Sequence, residues 1–187
     1  MKKKNIIGLT GQIACGKGVI KKFLIEKYNA SDYRFSTILR DILIRLSIEQ
    51  SRENIMKVST FLRQTFGEDI LAKTMAEDVK NDNSKFIVID GIRRLADIKY
   101  LKDVPGFFLV SVEANEKIRY KRVVERNENP GDDKKTFEEF LQDDIAETEE
   151  QIPKTMSNAD FKIDNNGTWD KLWEQIHQLV KKINDLK

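Results

Sequence analysis

Gly11-Gln12-Ile13-Ala14-Cys15-Gly16-Lys17-Gly18 is the stretch that decides the fold. Its first seven residues match the spacing G-x-x-x-x-G-K. In that pattern the glycines permit turns that aim successive backbone amides at a phosphate, and the lysine reaches the outer phosphates. Gly18 stands where a serine or threonine usually follows. Upstream, Asn5-Ile6-Ile7-Gly8-Leu9-Thr10 is a short apolar run of the kind buried on both faces of a parallel sheet. Downstream, Val19, Ile20, Phe23, Leu24 and Tyr28 recur at helical spacing. Strand, loop and helix in that order put the loop at a helix N-terminus, whose positive end attracts anions. The reading is a nucleotide-phosphate site made by Gly11, Gln12, Ile13, Ala14, Cys15, Gly16, Lys17, Gly18 and Val19. Cys15 serves there as a small neutral residue.

Further along, Phe86-Ile87-Val88-Ile89-Asp90-Gly91 and Phe107-Phe108-Leu109-Val110-Ser111-Val112 repeat the pattern of a buried strand. Tyr33-Arg34-Phe35 and Phe161-Lys162-Ile163-Asp164 are shorter candidates. Ser36 is the expected N-cap of a helix running to about Glu49, and a charged helical stretch fills Ser51 to Lys80 with a break near Gly67. Asn127 to Lys135 is a polar loop containing Pro130-Gly131, and Thr136-Phe137-Glu138-Glu139 fits a capping box. Leu172, Trp173, Ile176, Leu179, Val180 and Ile183 share one helical face near the C-terminus, with His177 as a structural neighbour.

Strands alternating with helices predict a three-layer α/β/α P-loop NTPase fold with a parallel sheet of about five strands. We expect one domain with its core in residues 1–35, 83–126 and 158–187, a helical substrate-binding insert over 36–82 and a lid over 127–157. At 187 residues the chain is short for two independent cores. With 40% hydrophobic residues it has enough apolar side chains for one.

The formal net charge is only +2, with acids and bases interspersed, so no nucleic-acid partner is indicated. The basic start at Met1 to Lys4 is not followed by a signal-peptide core, and no run approaches the roughly 18 apolar residues of a membrane span. The expected location is the cytoplasm, with no membrane partner. One cysteine and one histidine leave no Cys/His cluster for zinc and weigh against Ser-His-Asp hydrolysis. Oligomeric state is not legible in the sequence.

Gly11 to Gly18, with its G-K-G, resembles the phosphate loop of nucleoside monophosphate kinases, adenylate kinase among them. That family often continues with threonine where this chain has Val19. The resemblance extends to Asp90-Gly91-Ile92-Arg93-Arg94, which is similar to the family's D-G-x-x-R, and to Ser36-Thr37-Ile38-Leu39-Arg40, similar to its substrate-phosphate segment. It implies ATP and Mg2+, with Asp90 holding magnesium through water and Arg40, Arg93 or Arg94 contacting the acceptor. Arg119, Arg122 and Arg126 lie on one helical face, and Arg122 to Arg126 resembles the family's R-x-x-x-R at the lid. The resemblance thus implies a catalytic set of Lys17, Asp90, Arg122 and Arg126, with Arg122 and Asn166 also beside the nucleotide base. No arginine follows Arg126, so the far arm of a long lid is missing.

The implied function is transfer of the ATP γ-phosphoryl group to a nucleoside or deoxynucleoside monophosphate. Dephospho-CoA kinases share the opening Ile7-Gly8-Leu9-Thr10-Gly11 and are the rival, although their D-x-P-L-L is absent after Ile89. A P-loop switch or assembly protein without small-molecule kinase activity is the alternative of another class.

Overall fold

The computed structural model describes residues 4–127, 131–146 and 151–186. The expected basic start at Met1 to Lys3, and Pro130 of the polar loop, lie outside them. Five strands alternate with helices. They are β1 (Asn5–Thr10), β2 (Ser31–Arg34), β3 (Phe86–Ile92), β4 (Phe107–Glu113) and β5 (Phe161–Asp164), in the order β2-β3-β1-β4-β5 with every neighbouring pair parallel. This is the expected five-stranded parallel sheet of the P-loop kinase fold.

The period-two alternation of the strands divides the core between the two faces. Ile7, Leu9, Val110 and Val112 point to one side, where they meet helices α1 (Lys17–Tyr28) and α8 (Trp169–Asp185). Ile6, Ile87, Ile89, Ile92 and Leu109 point to the other, against α2 (Phe35–Arg45), α4 (Ile70–Asn81) and a 3-10 turn at Leu95–Ile98. The predicted face of α8 is buried at Leu172, Ile176, Leu179, Val180 and Ile183. Each such side chain stabilises by roughly 1.5–3 kcal/mol. Phe23 stacks on Trp173 at 4.6 Å, and His177 accepts or shares a hydrogen bond with the Tyr28 hydroxyl at 2.7 Å, a packing role as expected.

Two boundaries differ from the sequence reading. α2 starts at Phe35, with Arg34 in extended conformation at the N-cap, so Ser36 falls inside the first turn. The buried Phe35 side chain fixes the start of the helix more strongly than a hydroxyl cap would. The helix ends at Arg45 rather than near Glu49, because Ser47 adopts a positive φ and turns the chain. The stretch beyond it forms α3 (Arg52–Phe66), capped by Ser51, and then α4, with Gly67 at the break.

One irregularity lies beside a functional candidate. β1 and β3 pair Gly8 with Ile89 but Thr10 with Ile92, so Asp90 and Gly91 together oppose Leu9. The extra residue is a bulge, accommodated by Gly91 at φ 84°. Alternation from Ile87 and Ile89 puts Asp90 on the α1 side with Val88, and the bulge after it returns Ile92 to the apolar layer of Ile89.

No described helix is long and apolar enough to cross a membrane.

Candidate functional site

The Gly11 loop leaves β1 at the carboxyl edge of the sheet and enters α1. Of its amides, that of Cys15 bonds back to the Gln12 carbonyl at 3.3 Å. Among the described residues, those of Ala14, Gly16, Lys17 and Gly18 have no backbone acceptor, and α1 has no side-chain cap. This is a concave row of donors at a helix N-terminus, the arrangement that binds phosphate. Gly16 is required by its conformation: φ is 111°, and a Cβ there would stand 2.0 Å from Asn165 Nδ2. Lys17 folds over the loop, its ammonium donating to the carbonyls of Gly11 and Gln12, the latter at 2.9 Å. Cys15 is buried in the core beneath.

Beside the loop, Asp90 is 7% exposed and receives two hydrogen bonds from Arg34 on a single oxygen. Lys21 of α1 approaches the same Oδ2 at 3.9 Å while donating to Asp32 at 2.9 Å. Asp90 Oδ1 has no partner among the described residues. This donor set suits magnesium held mainly by nucleotide phosphates and water, with Asp90 contributing through Oδ1. Gly18 offers no hydroxyl, although nothing lies within 4 Å of the position its Cβ would take. No cluster of three or more metal-ligating side chains occurs among the described residues.

On the opposite flank, helix α5 (Glu116–Arg126) carries the three arginines singled out from the sequence. Arg122 spans the loop and the β5–α8 turn, donating to the carbonyls of Ala14 (3.4 Å), Cys15 (3.3 Å) and Asn165 (2.9 Å). Burial pushes its guanidinium pKa below the usual arginine value, and the nearby Cys15 acts in the other direction. Arg126 is exposed at the end of the helix, and Arg119 is fully buried. Asn165 bridges to the loop through the Cys15 carbonyl at 2.8 Å. Asn166 instead accepts from the Asn115 amide at 2.6 Å.

The three candidate acceptor arginines do not converge. Arg40 is exposed on α2 and makes no hydrogen bond or ion pair among the described residues. Arg94 is held by Asp97 (3.2 Å) and Glu68 (3.4 Å), while Arg93 is exposed and its amide donates to Asp97. Arg63 of α3, not singled out from the sequence, reaches the same Asp97 at 3.9 Å and the Glu68 carbonyl at 2.6 Å. These contacts tie the inserted helices to the core. The expected lid is represented by α6 (Phe137–Ala146), which begins with the predicted capping box: Thr136 Oγ1 accepts from the Glu139 amide, and Glu139 accepts from that of Thr136. α6 packs on α5 through Tyr120, Phe137 and Phe140, and α7 (Gln151–Met156) follows.

The residues missed from the sequence are Arg34, Lys21, Asn165, Arg63 and Asp144 of α6, which pairs with Arg119 at 2.7 Å. Their partners lie far along the chain, so no local spacing marks them. The one available signal was Arg34 at the end of a candidate strand, next to a strand ending in an acid.

Comparison with known proteins bears on the fold. A family model described as an AAA domain matches residues 10–140. A UPF0200 protein of Methanococcus vannielii is 29% identical over 180 residues, covering 95% of this chain and 96% of its own length. One from Saccharolobus islandicus is 29% identical over 181 residues, covering 95% and 93%. Among solved structures, shikimate kinase from Bacteroides thetaiotaomicron superposes with a TM-score of 0.63 at 14% identity, covering 96% of this chain and 98% of that one. A gluconokinase from Sinorhizobium meliloti superposes with a TM-score of 0.59 at 10% identity, covering 100% and 97%. At those identities the likeness is one of fold.

Proposed function

The chain belongs to the AAA domain family, and from that premise we propose that it is an ATP-dependent phosphotransferase acting on a nucleoside or deoxynucleoside monophosphate. The observation that carries the proposal is the row of amides of Ala14, Gly16, Lys17 and Gly18, without a backbone acceptor among the described residues, with Lys17 folded over it and Asp90 on the neighbouring strand. Phosphoryl transfer depends on positioning and on neutralising charge, and each residue here has a part in one or the other. The amides of Ala14, Gly16, Lys17 and Gly18 cradle the β-phosphate. Lys17 exchanges its carbonyl partners for phosphate oxygens. Arg122, already spanning the loop and the β5–α8 turn, flanks the base, and Arg126 at the helix end faces the outer phosphates when the lid closes.

Magnesium, bound with the nucleotide, supplies further charge neutralisation. Asp90 would hold the ion through water and would help orient the acceptor. The helical insert over residues 36–82 receives the acceptor, with Arg40 contacting its phosphate and Arg93 or Arg94 assisting. Arg40 supports this reading by presenting a guanidinium without a partner among the described residues, whereas Arg94 must first loosen its grip on Glu68 and Asp97. The location is the cytoplasm, where ATP and nucleotide monophosphates are at hand.

The test is incubation with magnesium-ATP and a panel of nucleoside monophosphates plus dephospho-CoA, with products identified by mass. Acceptor-dependent ADP with a nucleoside diphosphate supports the proposal. A 3′-phosphorylated coenzyme A with no diphosphate replaces it with dephospho-CoA kinase activity.

A further inference from the structure

A guanidinium removed from water needs hydrogen-bond partners on each nitrogen, and Arg119, 0% exposed, finds them in an unusual place. Its two terminal nitrogens each donate to one oxygen of Asp144 at 2.7 Å, the fork-to-fork geometry of a bidentate pair. The remaining contacts go to the carbonyls of Ala114 (3.2 Å) and Ile13 (3.4 Å), and the Phe140 ring covers the group at 5.3 Å. Asp144 has a third contact: its Oδ2 accepts from Gln12 Nε2 at 3.2 Å.

Docking α6 on α5 does not call for the last of these contacts, since Tyr120, Phe137 and Phe140 already pack that interface. Gln12 and Ile13 belong to the phosphate loop, so the pair reaches across from the lid helix to the loop at two points. The Gln12 carbonyl also accepts from Lys17. A continuous chain of contacts thus runs from α6 through Asp144 and Gln12 to the lysine that meets the phosphates. The negative charge of Asp144 is matched by Arg119, so the pair imposes shape on the loop without repelling a bound polyphosphate.

We infer that Asp144 is a positioning residue for nucleotide binding, holding Gln12 directly and Ile13 through Arg119 so that the loop's amides keep their concave arrangement. This rests on the reading of Gly11 to Lys17 as a nucleotide loop. Docked α6 then favours nucleotide binding, and bound nucleotide favours docked α6, by the reciprocity of linked equilibria.

The experiment titrates the full chain with a fluorescent ATP analogue and follows thermal unfolding of the same samples without nucleotide. Asp144→Asn alone strands a buried guanidinium and risks unfolding, so the informative variant is Arg119→Met/Asp144→Leu, which removes both charges together. It is expected to fold and to bind the analogue about threefold to tenfold more weakly. Gln12→Met, which removes only the amide donor, is expected to weaken binding in the wild-type background and to add nothing in the double variant. A folded double variant, or Gln12→Met, that binds as tightly as wild type overturns the inference while leaving the nucleotide site in place. Absence of saturable binding by the wild type overturns the nucleotide reading itself and the inference with it.

Discussion

Arg34 holds Asp90 by one oxygen, with Nε at 3.1 Å and a terminal nitrogen at 2.8 Å from Oδ2. The regular register of β2 on β3 sets Arg34 opposite Asp90, and Oδ1 has no partner among the described residues. Arg34→Met should therefore leave the fold intact, since the side chain is 49% exposed, but let the carboxylate rotate. We expect turnover to fall about tenfold or more and the magnesium concentration for half-maximal rate to rise. A steady-state magnesium titration of both proteins, with Arg34→Lys as the conservative control, checks this. Unchanged magnesium dependence in Arg34→Met would remove the link between the two residues.

Among the described residues, the Lys17 ammonium hydrogen-bonds only to loop atoms. Lys17→Ala should abolish phosphoryl transfer by at least 100-fold while its unfolding midpoint stays within a few degrees of wild type. Rate and thermal melting measured on one preparation decide it. Substantial turnover in the folded variant is incompatible with the proposed mechanism.

The loop's glycines should differ sharply in tolerance. Gly16→Ala combines a left-handed φ with a Cβ on top of Asn165, so it should cost about 1–3 kcal/mol and most of the nucleotide affinity. Gly18→Ala sits in open space at the start of α1 and should be neutral or slightly stabilising, by up to about 1 kcal/mol. Denaturant unfolding curves and nucleotide titrations of the pair give the contrast, and equal losses in both would contradict it.

Arg40 is proposed to meet the acceptor and not ATP. Arg40→Ala should raise KM for the phosphorylated acceptor about tenfold or more and leave KM for ATP near its original value. Bisubstrate kinetics separate the two, and an effect confined to ATP would reassign the residue.

Acid should expose a structural clasp away from the site. Burial works to raise the Asp82 carboxyl, but the Ser84 amide and the hydroxyls of Ser84, Ser31 and Tyr33 outweigh it and hold its pKa to about 2. A carboxyl depressed in the folded state contributes stability that is fully present above its unfolded pKa near 4 and is lost as pH falls toward about 2. Wild type should lose about 1–2 kcal/mol through that window on this account, and Asp82→Asn should lose correspondingly less. Parallel slopes in urea unfolding at pH 5 and pH 2.5 would refute the assignment. Burial and Asp82 together push the Tyr33 hydroxyl up to about 12, so the same clasp also loosens at strongly alkaline pH.

The parts of this structure legible in the sequence are those written in local pattern. β1, β3 and β4 stand out as apolar runs because both sheet faces are covered, the Gly11 loop by its glycine spacing, the start of α6 by Thr136 and Glu139, and the buried face of α8 by its period. What was not legible depends on pairing between distant segments. The bulge at Asp90-Gly91 exists only relative to β1, and the Arg34–Asp90 and Arg119–Asp144 pairs join residues 56 and 25 positions apart. Asn165 and Asn166 are indistinguishable as turn residues until the turn's path decides which one meets Cys15. The arginine periodicity on α5 was correctly seen, but period cannot tell the buried Arg119 from the exposed Arg126.

The most direct test of phosphoryl transfer to a small nucleotide follows γ-labelled ATP with magnesium, with and without nucleoside monophosphates, separating the labelled products. Label should pass to a nucleoside diphosphate only when the acceptor is present, and Lys17→Ala should stop it. Label appearing as free inorganic phosphate at the same rate with and without any acceptor would contradict the account and mark the protein as a nucleotide-hydrolysing switch.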